Sequence, residues 1–111
     1  MGNYLSKTLV ETNDCPPEQK LWRAVLQRAF EDVIYPGVER PLIIHKYKAH
    51  LWFVSQSDDF NTVCALAGFD YEYVFHHYQG MIDREQVYFT AEQLRYINWR
   101  KIYNQKRNIT F

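Results

Sequence analysis

The stretch 58–79, D-D-F-N-T-V-C-A-L-A-G-F-D-Y-E-Y-V-F-H-H-Y-Q, constrains this chain more than any other. It predicts a helix, a short turn and a second helix. Phe60, Val63, Ala67 and Val74 supply apolar positions, and Cys64 is small where the two helices must meet. Gly68 sits where the first helix must stop, because glycine takes the left-handed conformation that costs other residues about 1 kcal/mol or more. A small contact residue, then a glycine, then an apolar position in the next helix is helix-turn-helix spacing. Ser57 or Asp58 can cap the first helix and Asp70 the second, since a short side-chain oxygen accepts an otherwise unpaired backbone N–H. Asp58 and Asp59 also suit the positive end of the helix dipole.

Around this centre the chain reads as helical throughout. Residues 1–15 are polar and without period, which predicts a flexible arm. Pro16-Pro17 fits a helix start. Leu21, Trp22, Val25, Leu26, Ala29, Phe30 and Val33 then form one apolar stripe, with Arg23, Gln27, Glu31 and Asp32 off it, until Pro36-Gly37. A second helix is expected from Pro41 to about Ser55, on a stripe of Ile44, Tyr47, Leu51 and Val54, with His45, Lys46, Lys48 and His50 mostly outside it. Leu51-Trp52-Phe53-Val54 alone would also suit a short strand, but the helical period covers more residues.

Gly80 and Asp83 predict a break, and 86–89 an extended connector. Thr90-Ala91-Glu92-Gln93 is a capping box that opens a last helix to about Gln105. Leu94, Ile97 and the stem of Lys101 are expected to face inward, with Tyr96, Trp99 and Tyr103 on a second stripe. Residues 106–111 read as a frayed tail. The expected fold is therefore all-α: one domain over 16–105, a small bundle of about five helices around the central pair.

Charge separates along the chain although the formal net charge is zero. From Ala91 onward, Arg95, Arg100, Lys101, Lys106 and Arg107 stand against Glu92 alone. A basic last helix on an acidic body can meet phosphate or an acidic protein. Nine Tyr, seven Phe and three Trp are enough for a core and also for a partner surface.

Chemistry is sparse. His45, His50, His76, His77 and Cys64 match no zinc spacing, and adjacent His76 and His77 diverge by about 100° on a helix. There is no phosphate-cradling glycine loop and no nucleophile elbow. Cys64 is expected to be buried, which argues against a thiolate nucleophile. Neither a metal, a cofactor nor an enzymatic activity is expected. No apolar run is long enough to cross a bilayer, and Cys15 and Cys64 are too few for a disulfide framework, so a reduced, cytoplasmic protein is expected. The opening M-G-N-Y-L-S fits an N-myristoylation pattern, and Asn108-Ile109-Thr110 a glycosylation triplet, each meaningful only in a eukaryotic or secretory setting.

If the central pair binds DNA, its second helix presents Asp70, Tyr71, Glu72, Phe75, His76 and Gln79. Its lack of Arg or Lys is unfavourable, since neutralised phosphates supply most DNA affinity. The interleaved Tyr96, Trp99, Arg100, Tyr103 and Arg107 of the last helix can supply it.

Leu21-Trp22-Arg23-Ala24-Val25-Leu26 and the run from Asp59 to Asp70 resemble small, uncharacterised proteins of bacterial phages and prophages. In those a Leu-Trp helix precedes an Asp-Phe…Val-Cys…Ala-Gly-Leu-Asp turn. The resemblance implies a phage helix-turn-helix protein, a regulator or accessory factor acting on DNA in the cytoplasm of an infected bacterium. Those proteins continue with basic residues, where this chain has Tyr73, Phe75, His76 and His77. The alternative is a module that docks on a host or phage protein without touching DNA.

Overall fold

Each helix in the chain starts where a cap or a proline allows it, and the computed structural model describes residues 15–106 on that plan. The arm expected before Cys15 and the tail beyond Lys106, including Arg107, lie outside the described residues. Helix α1 (Pro17–Val33) opens with Pro17, whose missing N–H costs nothing in a first turn. Helix α2 (Arg40–Ser55) opens behind Glu39 with Pro41 in the same role. Residues 51–54 are helical, so the strand alternative is not adopted.

Helix α3 (Asp58–Leu66) is capped by Ser57, whose hydroxyl accepts from Phe60 N. Asp70 caps α4 (Tyr71–Asp83) by accepting from Glu72 N. Between them Gly68 has φ +87°, the left-handed value the sequence requires there. Helix α4 runs through Gly80 to Asp83, so the expected break at Gly80 is absent: a glycine weakens a helix interior by only about 1 kcal/mol, which packing overrides. Helix α5 (Ala91–Lys106) follows the capping box, in which Gln93 N donates to Thr90 Oγ1 and Thr90 N to Gln93 Oε1. The architecture is an all-α bundle, with α1 against α2 and α3, and α4 against α3 and α2.

The core gathers Leu26, Phe30, Val33, Phe53, Phe60, Val63, Cys64, Ala67, Val74, Tyr78 and Met81. Phe53 and Tyr78 stack with ring centroids 4.3 Å apart. Cys64 is fully buried, as its place at the helix contact required. Two stripes differ from the sequence reading. In α1 the inner face is the C-terminal half, and Leu21 and Val25 stay exposed. In α2 Ile43, Ile44, Lys46 and Phe53 are buried and His50 half-buried, while Leu51 (44% exposed) and Val54 point to solvent. Ile44 is buried as expected and Tyr47 is half-buried, so the stripe departs from the sequence reading in its C-terminal half, where Lys46, His50 and Phe53 take the inner line.

Candidate functional site

Lys46 fixes the position of α5. Its ammonium is buried and donates to Tyr35 O (2.7 Å), Tyr88 O (2.6 Å) and Gln93 Oε1 (2.8 Å). These acceptors belong to the α1–α2 loop, the α4–α5 connector and α5. Gln93 is equally buried, and its Nε2 donates to Tyr35 O and Gly37 O. The Gln93 amide thus uses both donors and both acceptor positions within the protein. The Lys46 ammonium also lies 4.7 Å from the centroid of the Phe89 ring. Burial lowers its pKa to about 8. Among the described elements, α5 packs against α2 alone, and this polar knot together with buried Ile97 anchors it.

The anchor leaves one flank of α5 open. Tyr96, Trp99 and Tyr103 form a ladder of nearly parallel rings, with centroids 6.0 and 5.4 Å apart. Spacings of three and four residues put them on one face of the helix. Trp99 is 54% exposed. The Arg40 guanidinium lies over the Tyr96 ring at 5.2 Å, and Arg100 Nη1 donates to the Tyr96 hydroxyl (3.2 Å). Of the residues expected inward, Ile97 is buried, whereas Leu94 and Lys101 are exposed, the Lys101 ammonium lying 4.9 Å from the centroid of the Tyr47 ring. Beside the ladder is a groove of about 590 Å³. Val38 and Ile43 are apolar in its lining, Tyr96 and Trp99 are its rings, and Arg40, Arg95 and Glu92 carry its charge.

The α3–α4 corner is of the opposite character. Within 58–85 the sequence carries Asp58, Asp59, Asp70, Glu72, Asp83 and Glu85 against Arg84, and at the turn itself Arg23 of α1 donates to Ala67 O. Tyr71, His76 and Gln79 are exposed on α4, with His76 Nδ1 3.3 Å from Gln79 Oε1. Phe75 is half-buried and packs on the core instead of facing outward. Tyr71, His76 and Gln79 on α4 therefore form a surface separate from Tyr96, Trp99, Arg100 and Tyr103 on α5, and the two helices make no contact with each other. Arg40 and Arg95 were missed as site residues by sequence reasoning. Arg40 joins the α5 surface only through the fold.

The remaining titratable groups of the interior are structural. The Tyr78 hydroxyl lies 2.8 Å from His50 Nδ1; burial raises the phenol pKa and lowers that of the imidazole, so Tyr78 donates to neutral His50. His77 meets the Phe30 ring edge-on, and burial, then the Arg84 charge, lowers its pKa. Burial, then the Asp70 charge, pushes the Cys64 thiol up to about 12. Such a thiol is a core residue, not a nucleophile. Among the described residues no cluster of three His, Cys, Asp or Glu could hold a metal ion, and no helix is long and apolar enough to cross a membrane. Comparison with protein-family models, curated proteins and solved structures finds no match to this chain.

Proposed function

We propose that this is a small DNA-binding protein whose contact surface is the aromatic and basic flank of α5, together with Arg40. The observation that carries this reading is the ring ladder Tyr96–Trp99–Tyr103 with guanidinium groups laid against it. Stacking faces and cations side by side are what nucleic acid offers partners for: bases stack on rings, and phosphates accept from guanidinium. The α3–α4 pair serves, in this reading, as the helix-turn-helix-like scaffold. Its second helix is acidic at its start and carries no Lys or Arg within Tyr71–Asp83, so it lacks the charge a groove-reading helix needs.

Fluorescence anisotropy with labelled DNA at rising salt tests the proposal. Affinity is expected to fall linearly on a log–log salt plot. Trp99→Ala is expected to weaken binding by about tenfold. Absence of binding at low salt would overturn the reading. Loss of binding on Tyr71→Ala or His76→Ala, with Trp99→Ala silent, would move the surface to α4.

One observation favours a second reading, a protein-docking module. Leu66, Tyr71 and Tyr73 are exposed together at the α3–α4 corner, Tyr73 at 56%. Apolar and aromatic side chains among carboxylates suit a basic protein partner. A pull-down from bacterial lysate with and without nuclease separates the readings, since a partner lost only from Tyr73→Ala and kept after nuclease supports docking.

A further inference from the structure

We infer that the nucleic acid bound at α5 is single-stranded, with one unpaired base seated in the groove between the start of α2 and α5. This rests on the α5 surface proposed above and adds which form of nucleic acid it takes. The groove's volume, about 590 Å³, is of the size that encloses a small-molecule-sized group. It is concave, whereas the major groove of a duplex, about 12 Å wide, admits a convex element such as a helix. A duplex hides the faces of its bases in its own stack. Only an unstacked base can lie against the exposed part of Trp99 and enter the groove that Ile43 lines.

The charges fit the same occupant. Arg40 and Arg95 line the groove, and their guanidinium groups can meet the phosphates that adjoin a seated base. Glu92 lines it too and would repel a phosphate. A carboxylate there instead accepts from an exocyclic amino group, the donor that cytosine has and thymine lacks. The groove therefore discriminates among bases: an amino-bearing base is preferred, and Glu92 is the specificity residue.

The test uses the full chain and oligonucleotides of about twelve residues: oligo-dC, oligo-dT, oligo-rC and a mixed-sequence duplex. Anisotropy is the first readout and tryptophan quenching the second. Single-stranded oligo-dC or oligo-rC is expected to bind about tenfold tighter than duplex, with dC ahead of rC if the strand is DNA. Oligo-dC is expected to exceed oligo-dT, and Glu92→Ala to erase that difference while leaving helicity by circular dichroism unchanged. Trp99→Phe should keep binding and lose most of the quenching. Duplex binding equal to or tighter than single-strand binding would overturn this inference and leave the DNA-binding reading standing. Binding of none of the four at low salt would overturn both.

Discussion

The α3–α4 corner and the α2–α5 junction both join two helices, but by different physics. The corner is local and apolar. Its caps, Ser57 and Asp70, act on residues two and three positions away, and its contact is Cys64 and Val63 against neighbours in the core. The Phe69 N–H closes it by donating to Cys64 O (2.9 Å). The junction is distant and polar. Lys46 and Gln93 are 47 residues apart, and both lie at the centre of the contact. A buried ammonium is favourable only when its protons are all matched, and here three acceptors match them. Apolar contact tolerates small shifts, whereas this network has one geometry. Both therefore contribute stability, and the junction also sets the position of α5 and of the surface it carries.

Breaking the junction is expected to have the largest effect. Lys46→Ala leaves Tyr88 O without its cation and opens a void beside Phe89, so a loss of about 3 kcal/mol is expected by chemical denaturation. Gln93→Ala should cost a similar amount. The double variant should fall short of the sum by about 1 kcal/mol or more, because the two share one network. Near-additive losses would mean that the side chains act separately. If the junction places the ladder, either variant also weakens nucleic-acid binding.

The same lysine gives the junction a pH dependence opposite in sign to that of Cys64 in the corner. The folded pKa of Lys46, about 8, lies below its ordinary 10.5, so between these values the unfolded chain holds a proton that the folded chain has released. Stability from this group therefore rises with pH through that window. Cys64 and Tyr78 oppose it at higher pH, since their raised pKa values make folding less favourable as their unfolded forms ionise above about 9 and 10. The clean measurement is the stability of wild type minus that of Lys46→Met, followed upward from pH 8. This difference should grow; a flat difference would mean that the ammonium keeps its ordinary pKa when buried.

Gly68→Val tests the corner. At φ +87° a β-branched side chain is strained, and its Cβ would collide with the Gln19 amide that α1 lays over the turn. A loss of about 1–3 kcal/mol is expected. An unchanged melting temperature would show that the turn tolerates another backbone path. Arg23, which donates to Ala67 O (2.8 Å) and covers the Phe69 ring at 4.6 Å, makes such a path costly.

The same contrast explains what could be read from the sequence. The helices, the Ser57 and Asp70 caps, the Gly68 turn, buried Cys64 and the Thr90–Gln93 box follow from signals within a few residues, and all are present. Lys46 was placed outside the stripe of α2 because a lysine is rarely buried unpaired. Its partners at Tyr35, Tyr88 and Gln93 have no sequence signal that they converge. With Lys46 inside, the second half of the α2 stripe turns, so that Leu51 and Val54 face solvent while Ile44 stays buried. On the surface, the ladder of Tyr96, Trp99 and Tyr103 was visible as spacing. The groove was not, because Arg40 and Val38 reach it only once α5 has docked.

The smallest expected effect lies at the other end of α3. Gln56 ends α2 at φ 49°, ψ 39°, left-handed like Gly68 but with a side chain attached. Helices end in this conformation most easily on glycine. Gln56→Gly should therefore relieve strain of about 1 kcal/mol, offset in part by the greater freedom of glycine in the unfolded chain. A net gain of about 0.5 kcal/mol is expected, with no change in nucleic-acid affinity because Gln56 ends α2 at the opposite terminus from Arg40. The two ends of α3 then form a matched pair, glycine removed at one and introduced at the other, with opposite signs predicted. A loss on Gln56→Gly would show that the Gln56 side chain, not its backbone angle, holds the α2–α3 turn, and the corner would be less purely local than its caps indicate.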